Sequence, residues 1–102
     1  MDATCQVYRM PDRPGVHSTE VRGSDVLVQW YDFGEHAPYE SLNTLIFGRR
    51  AQKLLMDALS CPSGPPNQVA QQVATLCASY FDVRALADRV GIPYTHEVSF
   101  DP

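Results

Sequence analysis

The chain has 102 residues, of which 44% are apolar and 20% are charged, and its formal net charge at pH 7 is −4. This length and composition are typical of one globular domain with its own core, so residues 1–102 are taken as a single domain and a disordered tail is excluded. The chain is mildly acidic and does not show the clustered excess of basic residues that is typical of proteins that bind nucleic acids broadly. No apolar run approaches the ~20 residues that span a bilayer.

The first third of the chain is predicted to form strands separated by turns. A strand is expected over 3–10 and a weaker one over 16–22, with the prolines and glycine of 11–15 between them. The clearest strand is 25–33, which is rich in β-branched and aromatic residues. Its purely apolar face, predicted to be the core face, carries Val26, Val28 and Trp30.

The segment 39–47 has two interpretations. Alternating apolar residues predict the second strand of a hairpin. Several of its leucines also fall on one helical face together with Leu54, so a helix that starts near Pro38 is the alternative. The strand is favoured because Gly48 supplies a boundary before the next element.

The next part of the chain predicts three helices. Residues 49–60 form the first, with apolar side chains at helical spacing and two arginines at its start. A second helix, 68–81, follows Asn67 as its N-cap. A third starts at Asp82 and ends at Gly91, which can adopt the left-handed conformation after the last turn.

Residues 92–102 contain alternating apolar positions and predict a possible C-terminal strand. The fold class expected is therefore α+β, with an N-terminal antiparallel sheet of three or four strands followed by two or three helices packed on one face. If the last strand leaves a sheet edge exposed, that edge can pair with another chain, and a homodimer is one such arrangement.

Cofactors and metals are not indicated. The cysteines, Cys5, Cys61 and Cys77, are odd in number and irregularly spaced, so they do not make a disulfide framework. The three histidines and three cysteines lack the short spacings of a zinc site. Free thiols and the absence of a recognisable signal peptide predict a cytoplasmic protein.

Two patterns suggest activities other than protein binding. Residues 83–98 resemble the centre of a helix-turn-helix motif, with Ala87 where the helices would touch and Gly91 in the turn. Glu97 departs from that pattern, because an apolar residue is needed there for the second helix to pack. The adjacent Glu35 and His36 are the other candidate, an acid–base pair of a small enzyme, although no recognised catalytic motif accompanies them.

Charge and aromatic content favour a protein-binding module. Between Arg22 and Arg49 the chain has four acidic residues and no Lys or Arg, and basic residues follow at once. Tyr and Arg side chains carry much of the binding energy of protein interfaces. The proposed partner-binding residues are Tyr31, Glu35, His36, Tyr39, Arg49, Arg50 and Lys53. Seven arginines against one lysine fit a GC-rich genome, which suggests an inhibitor, adaptor or accessory protein of a bacterium or phage.

Overall fold

The structure is a computed structural model that describes residues 7–13, 15–34 and 39–100. These residues form five strands and three helices, which in chain order are β1 (Val7–Arg9), β2 (His17–Arg22), β3 (Asp25–Asp32), β4 (Ser41–Phe47), α1 (Arg49–Ala58), α2 (Pro66–Leu76), α3 (Tyr80–Val90) and β5 (Thr95–Phe100). The α+β class is confirmed. The sheet is not wholly N-terminal, however, because a fifth strand follows the helices.

The strands make one antiparallel sheet in the order β1-β2-β3-β4-β5. β1, β2 and β3 each pair with the strand that follows directly in the chain, as in hairpins. The chain then passes through all three helices before β5 pairs with β4, from Ser41–Phe100 to Ile46–Thr95. The possible C-terminal strand is therefore present, and it becomes the outer strand on this side of the sheet.

One face of the sheet is covered by the helices. Residues that pair directly across strands share a face, so Val28 lies between Thr19 and Leu45. This face joins the inner sides of the helices in one apolar core that contains Val26, Val28 and Trp30, as predicted. Buried polar groups are satisfied there; the Thr19 hydroxyl, for example, donates to the Ala70 carbonyl at 2.8 Å.

The opposite face carries no helix, yet its central side chains are also buried. Leu27 has no exposed surface, and Gln29 and Thr44 are almost fully buried. An ion pair joins Arg22 of β2 to Glu97 of β5, with 4.0 Å between Nη1 and Oε1. Since β3 and β4 lie between these strands, the pair requires a sheet that curves toward this face.

The strand interpretation of 39–47 is confirmed from Ser41 onward, and the helical alternative is wrong. All seven residues of β4 pair with β3, from Asp32–Ser41 to Val26–Phe47. Gly48 is extended (φ −73°, ψ −179°) and separates β4 from α1.

The predicted starts of the second and third helices need correction. α2 begins at Pro66 rather than after Asn67, because proline is well suited to the first helical position, where no N–H partner is needed. It ends at Leu76, five residues earlier than expected. The N-cap of α3 is Ser79, not Asp82.

A reciprocal capping arrangement explains the start of α3. The Ser79 hydroxyl accepts from the Asp82 N–H at 3.3 Å, and the Asp82 carboxylate accepts from the Ala78 N–H at 3.2 Å. At the other end Gly91 adopts φ +86°, as its position after the helix predicts. No helix in the described part of the chain has the length and apolar character needed to cross a bilayer.

Candidate partner-binding surface

The predicted basic residues lie on the first turn of α1. The helix forms because Ala51, Leu55 and Met56 recur at helical spacing and are buried against the sheet. Arg49 and Arg50 stand on the exposed side of the first turn, where no acidic residue is present.

These residues line a cleft of about 400 Å³ between α1 and the segment that leads into α2. Its polar rim is formed by Arg49, Arg50 and Lys53, which are exposed. Its floor includes Met56 and Val69, which belong to the core. We call this feature the basic cleft; its lining is Arg49, Arg50, Gln52, Lys53, Met56, Ser63, Gly64 and Val69.

A hydrogen-bond network fixes one wall of the basic cleft. Gln52 is 1% exposed, and its Nε2 donates to the carbonyls of Ser24 at 2.8 Å and Phe47 at 2.9 Å. Its Oε1 accepts from Nη1 of Arg49 at 2.9 Å, and the same nitrogen reaches the Gly64 carbonyl at 3.3 Å. The Arg49 guanidinium is thereby held between α1 and the segment before α2.

The charge of the basic cleft is not neutralised locally. Within the residues that the structure describes, no Asp or Glu oxygen lies within 4.0 Å of the side-chain nitrogens of Arg49, Arg50 or Lys53. The partial positive charge of the α1 N-terminus adds to that of the side chains. Although the chain as a whole is acidic, the electrostatic potential at the basic cleft is positive. This local potential favours a negatively charged ligand.

A second cavity, of about 370 Å³, adjoins the other side of the two arginines. Tyr94 and Thr95, at the start of β5, line it together with Arg49 and Arg50. The two arginines therefore form the ridge between two hollows, so either guanidinium can contact a partner that follows the surface.

The predicted aromatic residues lie elsewhere. The rings of Tyr31 and Phe33 are in tilted contact, with centroids 4.6 Å apart and 58° between their planes. They line a shallow hollow of about 350 Å³ on the face away from the described helices. Phe33 is 55% exposed and Tyr39 is 63% exposed. The Tyr31 hydroxyl donates to Oε1 of Glu40 at 2.9 Å.

The structure separates the predicted residues into two groups. Tyr31 pairs with Leu42 near the start of β4 and Tyr39 lies just before that strand, whereas Arg49 and Arg50 follow its end. Seven strand residues at about 3.3 Å each place the groups roughly 20 Å apart. Glu35 and His36 lie outside the described residues, so the acid–base pair stays a prediction.

Sequence reasoning missed Gln52, Met56 and Phe33. In the sequence, Gln52 resembles an ordinary solvent-facing glutamine and Met56 an ordinary core methionine. Their position at the basic cleft depends on contacts with distant segments, which the sequence does not show. Phe33 carried a usable signal, because it sits two residues after Tyr31 and therefore on the same face of an extended strand.

The helix-turn-helix interpretation of 83–98 is wrong. The first helix is present as α3 and ends at Gly91, but residues 92–94 are irregular and the following residues form β5. Thr95 to Glu97 pair with β4 in the position where a recognition helix would begin. Proline at 93 and alternating side chains after it favour the strand.

The buried reactive groups serve the core. His17 is almost fully buried, and its Nδ1 accepts from the Tyr80 N–H at 3.1 Å. Loss of solvation lowers the pKa of His17 below its ordinary value. Burial, with smaller effects from Asp82 and Cys61, raises the pKa of the Cys77 thiol to about 11. In the described segments, no group of three His, Cys, Asp or Glu side chains is arranged to hold a metal ion.

Comparison of the chain with family models, curated proteins and solved structures finds no match. A function must therefore be inferred from the chemistry of the surface itself.

Proposed function

We propose that the protein is a binding module that recognises an acidic segment of a partner protein through the basic cleft. The observation that carries this proposal is the set of three unneutralised cations, Arg49, Arg50 and Lys53, around one cleft. Such a site offers several ion pairs to one ligand and gives the association an electrostatic preference for an acidic partner.

The chemistry of the cleft defines the partner segment. Carboxylates suit the guanidinium groups, which can each make two parallel hydrogen bonds. We therefore expect a segment with several acidic residues, bound in the cytoplasm, where the free thiols of the chain would persist.

The experiment is a double charge reversal, Arg50→Glu with Lys53→Glu. These two side chains are chosen because Arg49 also makes structural hydrogen bonds to Gln52 and Gly64. Arg50 lies in the first turn of α1, where an acidic residue interacts favourably with the helix dipole, and Lys53 is exposed, so the fold should be retained.

The matched control is Arg9→Glu with Arg89→Glu, which gives the same net charge at exposed positions away from the cleft. Tagged parent and variants are used to capture proteins from a nuclease-treated lysate of the source cell, and the Kd of each captured protein is then measured. The cleft variant should weaken binding at least about tenfold, mainly through slower association, while the control stays near the parent. Equal weakening by both double variants would mean that only net charge matters, and the proposal would be wrong.

A further inference from the structure

The outer strand β5 has a free edge. In the described part of the chain it pairs only with β4, and all six of its residues are exposed. Its pairing with β4 is continuous from Thr95 to Phe100, so no bulge twists the edge away. The strand also contains no proline or lysine, the residues that commonly protect sheet edges from pairing with other chains.

The opposite edge of the sheet is shorter and partly covered in the described part of the chain. There β1 has three described residues, of which Tyr8 is only half-exposed. α2 packs against β1 as well as β2. Among the described strands, the longer accessible edge is therefore β5.

Apolar side chains accompany this edge. Val98 is 40% exposed and Phe100 is 62% exposed, and both lie on the same face of the sheet as Trp30. The ring of Phe81, itself partly exposed, covers Trp30 with 4.6 Å between centroids. Asn43 and Ser41 of β4 lie between Trp30 and these two residues, so Val98 and Phe100 form a separate apolar pair at the edge of the sheet.

We propose that β5 pairs antiparallel with β5 of a second copy, around a twofold axis at Val98, to form a continuous ten-stranded sheet. In this register Val98 lies opposite its own counterpart, and His96 lies opposite Phe100 on the helix-covered face. On the other face Glu97 lies opposite Ser99. Directly opposed side chains share a face in an antiparallel pair, so Val98 and Phe100 of the two copies lie together on one face.

The sequence of β5 selects this register over its neighbours. An axis at Glu97 would place two carboxylates directly opposite each other, which is destabilising. An axis at Ser99 would leave only residues 98–100 of the strand paired with one another. The axis at Val98 avoids the like-charge contact and pairs residues 96–100, which makes β5 complementary to itself as a twofold interface requires.

The area available sets the strength of the dimer. A stable interface buries about 800 Å² on each partner. One strand edge with two exposed apolar side chains offers less, so we expect a dissociation constant on the order of tens to hundreds of micromolar. Sedimentation equilibrium over about 10–500 µM should therefore show the average mass rising from one chain toward two.

The disrupting variant is Val98→Lys, which places two ammonium groups opposite each other at the axis and should weaken dimerisation at least about tenfold. Its control is Val90→Lys. Val90 is 53% exposed and lies at the end of α3, where a cation is compatible with the helix dipole. The control should dimerise like the parent, and circular dichroism should show the same fold for both variants.

A strengthening variant tests the register independently. With Ser99→Lys, the new ammonium group of each copy lies opposite Glu97 of the other copy, which gives two ion pairs in the dimer. The dissociation constant should therefore fall by about 2- to 30-fold. A parent that remains monomeric over the whole concentration range, or a dimer that Val98→Lys leaves intact, would overturn the proposal. The result is separate from that of the basic cleft, because the dimer is read with the pure protein and cleft binding is read with a captured partner.

Discussion

Replacing Gln52 by methionine should remove the polar contacts that hold α1 to the sheet while conserving side-chain length. The amide of Gln52 donates to two main-chain carbonyls, those of Ser24 in the turn after β2 and Phe47 at the end of β4. It also accepts from Arg49. Methionine fills the same volume but offers none of these hydrogen bonds, so the variant measures the polar network without creating a cavity.

The expected cost follows from the surroundings of the two carbonyls. Ser24 is exposed, so water can replace the lost donor and the loss is about 1 kcal/mol. Phe47 has no exposed surface, and its carbonyl would be left without this donor at a cost of about 1–3 kcal/mol. The sum, about 2–4 kcal/mol, is a large part of the roughly 5–15 kcal/mol that stabilises a domain of this size.

Urea unfolding followed by circular dichroism measures the effect. The midpoint should fall by about 1–3 M, with the slope of the transition unchanged. Gln71→Met on the exposed side of α2 is the control and should stay within about 0.5 kcal/mol of the parent. A loss below about 0.5 kcal/mol for Gln52→Met would refute the assignment of Gln52 as the residue that anchors α1.

Two further predictions concern buried titratable groups. Since burial lowers the pKa of His17, the unfolded chain binds more protons than the folded one as pH falls through about 6.5, and stability should decrease there. His17→Asn retains an acceptor for the Tyr80 N–H and should flatten this part of the stability–pH curve; an unchanged slope would exclude His17 as its source. With a pKa of about 11, Cys77 is only about 0.1% thiolate at pH 8. Iodoacetamide should therefore label Cys61, the more exposed thiol, well before Cys77 in the native protein, as peptide mass spectrometry would show, and equal rates would contradict this burial.

Local patterns were sufficient to predict the strands, because apolar and polar residues alternate along each strand and the sheet places alternate residues on opposite faces. Val26, Val28 and Trp30 share a face in any extended conformation, and the helices cover that face. Helix starts were harder to predict, since neighbouring residues competed for each role. Asn67 and Asp82 are acceptable caps in isolation, but Pro66 sets the start of α2, and the contacts of Asp82 with Ser79 and Ala78 set that of α3.

The burial on the face without helices depends on long-range geometry. The alternation of side chains along β3 places Leu27, Gln29 and Tyr31 on one face of the sheet. It does not determine how exposed these side chains are to solvent. That exposure also depends on sheet curvature, which brings Arg22 within 4.0 Å of Glu97 across two intervening strands. Contacts between residues 75 positions apart are not encoded in any local pattern of the chain.

The position of the basic residues at the start of a helix could be predicted from the sequence, whereas the cleft that they line could not. Two arginines at the start of a helix oppose its dipole, and such a local cost persists where another requirement outweighs it. The structure supplies no carboxylate within 4.0 Å of Arg49, Arg50 or Lys53 in its described residues that would explain them as ordinary ion pairs. The same reasoning applies to β5, whose unprotected edge is a liability for an isolated monomer. Both features depart from what folding alone requires, and we propose a binding partner for each: an acidic segment for the cleft and a second copy for the edge.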